Sequence, residues 1–269
     1  MAVNRRHWDE VATLHPHTAF YHFYLDRLRA GGTSLHRVEI AEVGDVAGRT
    51  LLHLQCHIGT ESSSWARRGA LVTAVDFSAN AVAEAGRIAT ELGVRVRYVQ
   101  SNIYELDGVI DEEFDFVYTS WGVLGWMPDL EQWARVVARH LKPGGVFYIA
   151  EFHPIVWVFD EGALDLRLKY GYFHDAEPIA DDSPHSYADP DTPLENTRTY
   201  GWQYPLGKVV TALIEAGLAI EFIHELPRCV AQMLPMLVRD ETDDERWFRM
   251  PDGVPELPLS FTLRAHRLA

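Results

Sequence analysis

Cysteine is scarce in this chain of 269 residues: only Cys56 and Cys229 occur, too few for a disulfide framework. No apolar run approaches the roughly 20 residues that a membrane span requires. The opening Met1-Ala-Val-Asn-Arg-Arg is not followed by the apolar stretch of a secretory leader. Basic residues are also few, 24 Lys and Arg against 39 Asp and Glu, and they form no run. A formal net charge of -15 repels phosphate backbones, which argues against a nucleic-acid partner. There is no internal repeat and no low-complexity tract. The expectation is a cytoplasmic protein with neither membrane nor nucleic acid as partner. What is present is apolar: 47% hydrophobic residues can bury a substantial core.

The apolar residues fall into alternating strands and helices. Strand-like runs recur at Thr50 to Gln55, Leu71 to Asp76, Val94 to Val99, Phe114 to Thr119 and Val146 to Phe152. Helical stretches near Glu61 to Arg68, Asn80 to Leu92 and Leu130 to His140 separate them, with Ser78 placed as an N-cap. Such alternation predicts right-handed βαβ units and a mostly parallel α/β sheet covered on both faces. Lys142-Pro143-Gly144-Gly145 reads as the turn into the fifth strand. Before the sheet, Trp8 to Arg29 reads as amphipathic helix interrupted at Pro16 and ended at Gly31-Gly32. After Pro154 the pattern dissolves to about Tyr204, as in a lid or binding loop. A helix near Gly207 to Ala216 and strands at Leu218 to Glu225 and Pro258 to Arg267 complete the chain.

The junction Thr50-Leu-Leu-His-Leu-Gln-Cys-His-Ile-Gly59 carries the strongest chemical signal. An apolar strand feeding a loop and a helix N-terminus leaves backbone N–H groups free, and Asp76, ending the next strand, is placed to accept from a ribose diol. A dinucleotide fingerprint requires a glycine where His57 stands, because a pyrophosphate must approach the backbone closely. A phosphate-free adenosine cofactor with a polar amino-acid tail makes no such demand and can use Gln55 or His57 as partners. S-adenosylmethionine fits that description.

Four blocks extend this reading: Leu51 to Gly59, Val75-Asp76-Phe77-Ser78, Ser101-Asn102-Ile103, and Phe114-Asp-Phe-Val-Tyr-Thr with Leu141-Lys-Pro-Gly-Gly145. In this order and spacing the chain resembles the class I S-adenosylmethionine-dependent methyltransferases over roughly 51–269, most of all the small-molecule branch whose first motif reads HLQCH. The resemblance implies a Rossmann-like, seven-stranded sheet with an antiparallel last strand. It implies one domain: an N-terminal helical cap (1–49), a cofactor-binding half (50–153), a lid or acceptor-binding insertion (154–204) and a C-terminal part of the sheet (205–269). It implies that Gln55, Cys56, His57 and Gly59 lie beneath the methionine part of the cofactor, and that His53 stands where the family usually has an Asp near the methionine amino group. Asp76 is then the ribose ligand, with Phe77, Ser78 and Ile103 beside it. Asn102 takes the place of the usual Asp at the adenine amino group. Thr119 and Ser120 supply backbone contacts, Trp121 the first wall of the acceptor pocket, and Tyr21 and Tyr24 a closing helix.

Methyl transfer from a sulfonium is an in-line displacement that depends chiefly on positioning. Where the acceptor loses a proton, His153 is the candidate general base, because it follows the fifth strand at the C-terminal sheet edge. Glu151, two residues earlier on the same face, is the candidate to orient it; either residue could equally be structural. Tyr172 and His174 are alternatives in the insertion. Trp157, among the aromatics there, could line an aromatic acceptor pocket or simply anchor the segment. His7, His15, His17 and His22 lack a convincing ligand spacing, so no metal is expected. The reading is methyl transfer to oxygen, nitrogen or electron-rich carbon of a small aromatic or heterocyclic acceptor in specialised metabolism, releasing S-adenosylhomocysteine. Two alternatives stand beside it: a non-catalytic cofactor-binding partner subunit and a nicotinamide-dependent oxidoreductase. The oligomeric state is open, a homodimer included.

Overall fold

The computed structural model describes residues 1–173 and 177–268. Its centre is a seven-stranded sheet: β1 Thr50–Leu54, β2 Leu71–Asp76, β3 Val96–Gln100, β4 Phe114–Thr119, β5 Leu141–Phe152, β6 Leu218–Leu226 and β7 Ser260–Arg267. The spatial order is β6-β7-β5-β4-β1-β2-β3. Strand β7 runs antiparallel to both β5 and β6, whereas β1 to β5 pair in parallel. The order reverses beside β1, which opens a crevice at the C-terminal ends of β1 and β4, where such sheets bind ligands.

Helices form where apolar residues recur at helical spacing. In α6, Leu130–Arg139, Leu130, Trp133, Ala134, Val137 and Ala138 share one buried face, and Asp129 caps the start by accepting from Gln132 N–H. That face packs with α7, Leu206–Glu215, against Leu52, Leu54, Val117 and Phe147 on one side of the sheet. Leu51, Trp65, Tyr118 and Tyr148 fill the other side, beneath α4, Thr60–Arg67. Ser78 caps α5, Ala79–Glu91, by accepting from Ala81 N–H, as expected. The N-terminal cap is α1 Ala2–Leu14, a 3-10 turn His15–His17 containing Pro16, α2 Ala19–Arg29 and α3 Arg37–Val43. Asn4 ties α1 to a distant segment: its side-chain amide donates to Tyr200 carbonyl at 2.7 Å and its oxygen accepts from Tyr200 N–H at 2.9 Å.

Two expectations need correction, and one further element was not read from the sequence. Lys142 to Gly145 is not a turn before β5 but an irregularity inside it, where the register jumps from Phe114–Leu141 to Phe116–Val146. The insertion after Pro154 carries structure: a 3-10 helix Pro154–Val158 and two ribbons, Ile179–Asp182 with Arg198–Gly201 and His185–Ser186 with Asp189–Pro193. A second excursion, between β6 and β7, holds a small sheet of Arg228–Cys229, Val238–Arg239 and Phe248–Arg249 packed around Trp247 and Leu237. Its two-residue strands leave no periodicity to read. Among the described residues, no helix is long and apolar enough to cross a membrane.

Candidate functional site

The loop after β1 keeps the backbone of a glycine turn without most of the glycines. Gln55 and His57 adopt φ of 57° and 47°, a left-handed conformation costly for residues with a Cβ. Gly59, at φ 72°, has no such alternative: an added Cβ would collide with the Tyr98 hydroxyl and lie 2.9 Å from Ala85 Cβ. The turn holds because its polar groups are answered. His57 N–H donates to Asp76 Oδ2 at 2.9 Å and Ser78 N–H to Asp76 Oδ1 at 2.9 Å, so the carboxylate clamps the loop to the end of β2. Burial nevertheless raises the Asp76 carboxyl to about 6.

The expected cofactor residues gather here. His53 is fully buried under the loop, with Nδ1 2.8 Å from Ser62 Oγ and Nε2 3.4 Å from Ser120 Oγ; burial depresses its imidazole to about 3. Gln55 Nε2 makes only long contacts, 3.5 Å to Val123 carbonyl and 3.4 Å to Met127 Sδ. Among the described residues, its Oε1 and the Thr119 hydroxyl are buried without a hydrogen-bond partner. The Cys56 thiol is buried, and burial pushes it above its ordinary range. Asn102 starts a short 3-10 turn, its Oδ1 accepting from Tyr104 N–H at 3.2 Å, which leaves that oxygen a second lone pair. Ile103 packs into the core, and Phe77 carbonyl accepts from Gln100 at 3.5 Å.

The cap closes directly on this loop. Trp8 sits edge-on to His57, ring centres 5.4 Å apart, and to Trp126 at 5.2 Å. Asp9 accepts from Ser78 Oγ at 2.7 Å. Tyr21 stacks on His15 at 4.8 Å, and its hydroxyl meets that of Tyr187 from the insertion at 2.6 Å. Neither Trp8 nor Asp9 stood out in the sequence; contacts from a separate helix carry no local signal. Outside α1, an open groove of about 570 Å³ runs along Arg6, Asp9, Glu10 and Asn80, one layer of side chains from Asp76.

Beyond β4, aromatic residues from four segments converge. Trp121 lies 5.8 Å from His36 and 5.9 Å from Trp247, and its Nε1 donates to Glu39 at 3.4 Å. Tyr24 faces His36 at 6.4 Å. Trp157 stands apart, 42% exposed, with its edge on Phe152. Tyr172 anchors the insertion, accepting from Leu206 N–H at 3.2 Å. His174 lies outside the described residues.

Glu151 does not orient His153, contrary to expectation. Its carboxylate accepts four backbone N–H groups, those of Gly122, Val123, Leu124 and Phe152, at 2.6 to 2.9 Å, and so fixes the loop that follows β4. His153 turns to Ile155 N–H through Nδ1, at 3.1 Å, and to Glu225 through Nε2, at 3.0 Å. Shared strand parity set the face but not the partner. With both nitrogens engaged, the imidazole has no spare lone pair in this arrangement.

The site fits an adenosine cofactor bearing a polar tail: two orphaned acceptors, Gln55 Oε1 and Thr119 Oγ1, lie beside a carboxylate at the ribose position and a loop that excludes a side chain at Gly59. Residues 52–149 match the family model for a methyltransferase domain. Among curated relatives, the chain is 34% identical over 122 residues to a ubiquinone biosynthesis O-methyltransferase of Klebsiella pneumoniae subsp. pneumoniae, covering 42% of this chain and 50% of that protein. It is 29% identical over 181 residues to one of Cronobacter sakazakii, covering 63% and 74%. The chain thus spans about half the length of the first curated relatives it matches. An S-adenosylmethionine dependent methyltransferase from Mesorhizobium loti shares the fold, with a TM-score of 0.58 at 20% identity over 88% of this chain and 99% of that one.

Proposed function

We propose that this chain, a class I methyltransferase by its fold and by the domain it matches, transfers a methyl group from S-adenosylmethionine to a small aromatic or heterocyclic acceptor. The observation that carries the reading is the His57–Asp76 clamp, a glycine-type turn held by a carboxylate at the ribose position while side chains at 55 and 57 deny space to a pyrophosphate. The same side chains count against a nicotinamide dinucleotide.

When bound, the cofactor supplies an electrophilic methyl group on a sulfonium. The protein's share is placement: Asp76 receives the ribose hydroxyls, the 55–59 loop holds the tail, and Glu151 keeps the 122–124 loop in register. Holding a nucleophile near attack distance contributes up to about 7 to 11 kcal/mol in favourable cases. Trp121, half-buried after β4, is the side chain of this cluster assigned to the acceptor, and His36 and Trp247 pack against it and hold its ring in place. The O-methyltransferase names of the curated relatives favour oxygen as the atom methylated. Two buried, unpaired thiols suit a reducing, cytoplasmic setting.

Calorimetric titration with S-adenosylhomocysteine, in parallel with a nicotinamide dinucleotide, tests the reading. Selective saturable binding of the former is expected, reduced at least about tenfold in Asp76→Ala. Binding of the dinucleotide alone overturns it. A non-catalytic binding subunit gains support from the engaged nitrogens of His153. Methyl transfer to any aromatic acceptor in a screen excludes it.

A further inference from the structure

The carboxylates around the loop are committed, with one exception. Asp76 accepts from His57 and Ser78 N–H groups, Glu39 from Tyr118, His36 and Trp121, and Glu151 from four backbone N–H groups. Glu61 differs. It stands in the first turn of α4, two residues past Gly59, and its side chain accepts from the neighbouring Thr60 hydroxyl at 2.8 Å. Its charge is felt by the phenols of Tyr21, Tyr24, Tyr187, Tyr98 and Tyr118 and by the Cys56 thiol, all of which it pushes upward. From the α3 side, His36 and Glu39 act on it with opposite signs. Burial raises its carboxyl to about 7, the mark of an acid that lacks a close cation. His53, on the strand beneath, is neutral and takes no anionic role. On the β4 side of the same loop, Gln55 Oε1 is buried with nothing to accept from. Among the described residues, the loop therefore offers a carboxylate with no ion pair and a carbonyl without a donor.

We infer that Glu61, with Gln55 Oε1 as a second acceptor, receives the α-ammonium group of the S-adenosylmethionine tail. The inference rests on the function proposed above and assigns to α4 the anionic contact that neutral His53 does not supply. A charge-assisted bond to a partly buried carboxylate is strong enough to read in binding.

The test compares S-adenosylhomocysteine with 5′-methylthioadenosine, which has the nucleoside but no amino-acid tail. Calorimetry at pH 7 on the full chain and on Glu61→Gln should show a loss of about 10- to 100-fold for the former and a change within about twofold for the latter. Equal losses for both ligands, or no loss, overturn the role of Glu61. A wild-type chain that binds neither ligand overturns the function on which it rests, a distinct result because the methylthioadenosine arm does not depend on Glu61. Should Glu61→Gln fail to fold, the wild type still decides. A carboxyl near 7 that gains a cation gives up its proton, so titrations in buffers of different ionisation enthalpy should show release of about half a proton with S-adenosylhomocysteine and none with methylthioadenosine. Equal proton counts overturn the inference.

Discussion

Nε2 of His57 lies 2.7 Å from Nδ1 of His15, and Nε2 of His15 lies 2.7 Å from Ser186 Oγ. One imidazole must donate and the other accept, which two neutral rings can do. Burial holds both below their ordinary range, His57 at about 3. Three segments far apart in sequence, the loop after β1, the cap and the insertion, are thereby joined through a single file of side chains.

Replacing His15 with alanine strands the facing atoms of His57 and Ser186 and removes the ring on which Tyr21 stacks. The expected cost is about 1 to 3 kcal/mol, seen as a lower urea midpoint with an unchanged slope. An unmoved midpoint would show that the file is not holding the cap.

His53 should make stability fall as the solution is acidified. Its pKa is about 3 when folded and about 6.5 when unfolded, so below pH 6.5 the unfolded chain takes up a proton that the folded chain refuses. The slope approaches about 1.4 kcal/mol per pH unit between those values. Asp76 and Glu61, with folded values raised to about 6 and about 7, act with the opposite sign, because their contribution is present at low pH and lost as pH rises. The informative quantity is therefore the stability difference between wild type and His53→Gln, measured in urea, which should shift against the wild type as pH falls from 7 to 5. Parallel curves would refute the assignment.

Gln55 spends conformational energy at φ 57° and recovers little through two long contacts. Gln55→Gly should raise the melting temperature by about 2 °C, whereas Gln55→Ala, which keeps the Cβ, should not. Differential scanning calorimetry of both variants checks this, and equal shifts would place the strain elsewhere. Ligand affinity should fall in both, because both lose the buried carbonyl.

His153→Ala removes a cap for Ile155 and an ion pair to Glu225. A stability loss of about 1 kcal/mol is expected, with turnover lowered less than about tenfold. A hundredfold loss of turnover at unchanged cofactor affinity would instead establish His153 as the general base.

The main-sheet strands were legible: buried parallel β1, β2, β4 and β5 are written as nearly continuous apolar runs, β3, β6 and β7 as shorter β-rich segments between turn signals, and Asp76 and Ser78 stood out by their place at a strand end and a helix start. Contacts between segments were not legible. Nothing local at Glu61 says that its charge will act on Tyr21, Tyr24 and Tyr187, since that depends on how the cap settles. Glu151 and His153 were placed on one face by strand parity, yet parity does not say which of several donors within reach a carboxylate will take. Trp247 escaped notice because strands of two residues have no period.

The pairing of Asn4 with Tyr200 bears on the order in which the molecule is made. Helix α1 is synthesised well before the backbone it grips, which is separated from it by 196 residues. At about 5 to 20 residues per second, α1 waits roughly 10 to 40 s for its partner, with its buried face exposed. The sheet from β1 to β5 is complete before the Asn4–Tyr200 tie can form, so during synthesis the cap is held over the crevice by Asp9–Ser78 and His15–His57 without its latch to the insertion.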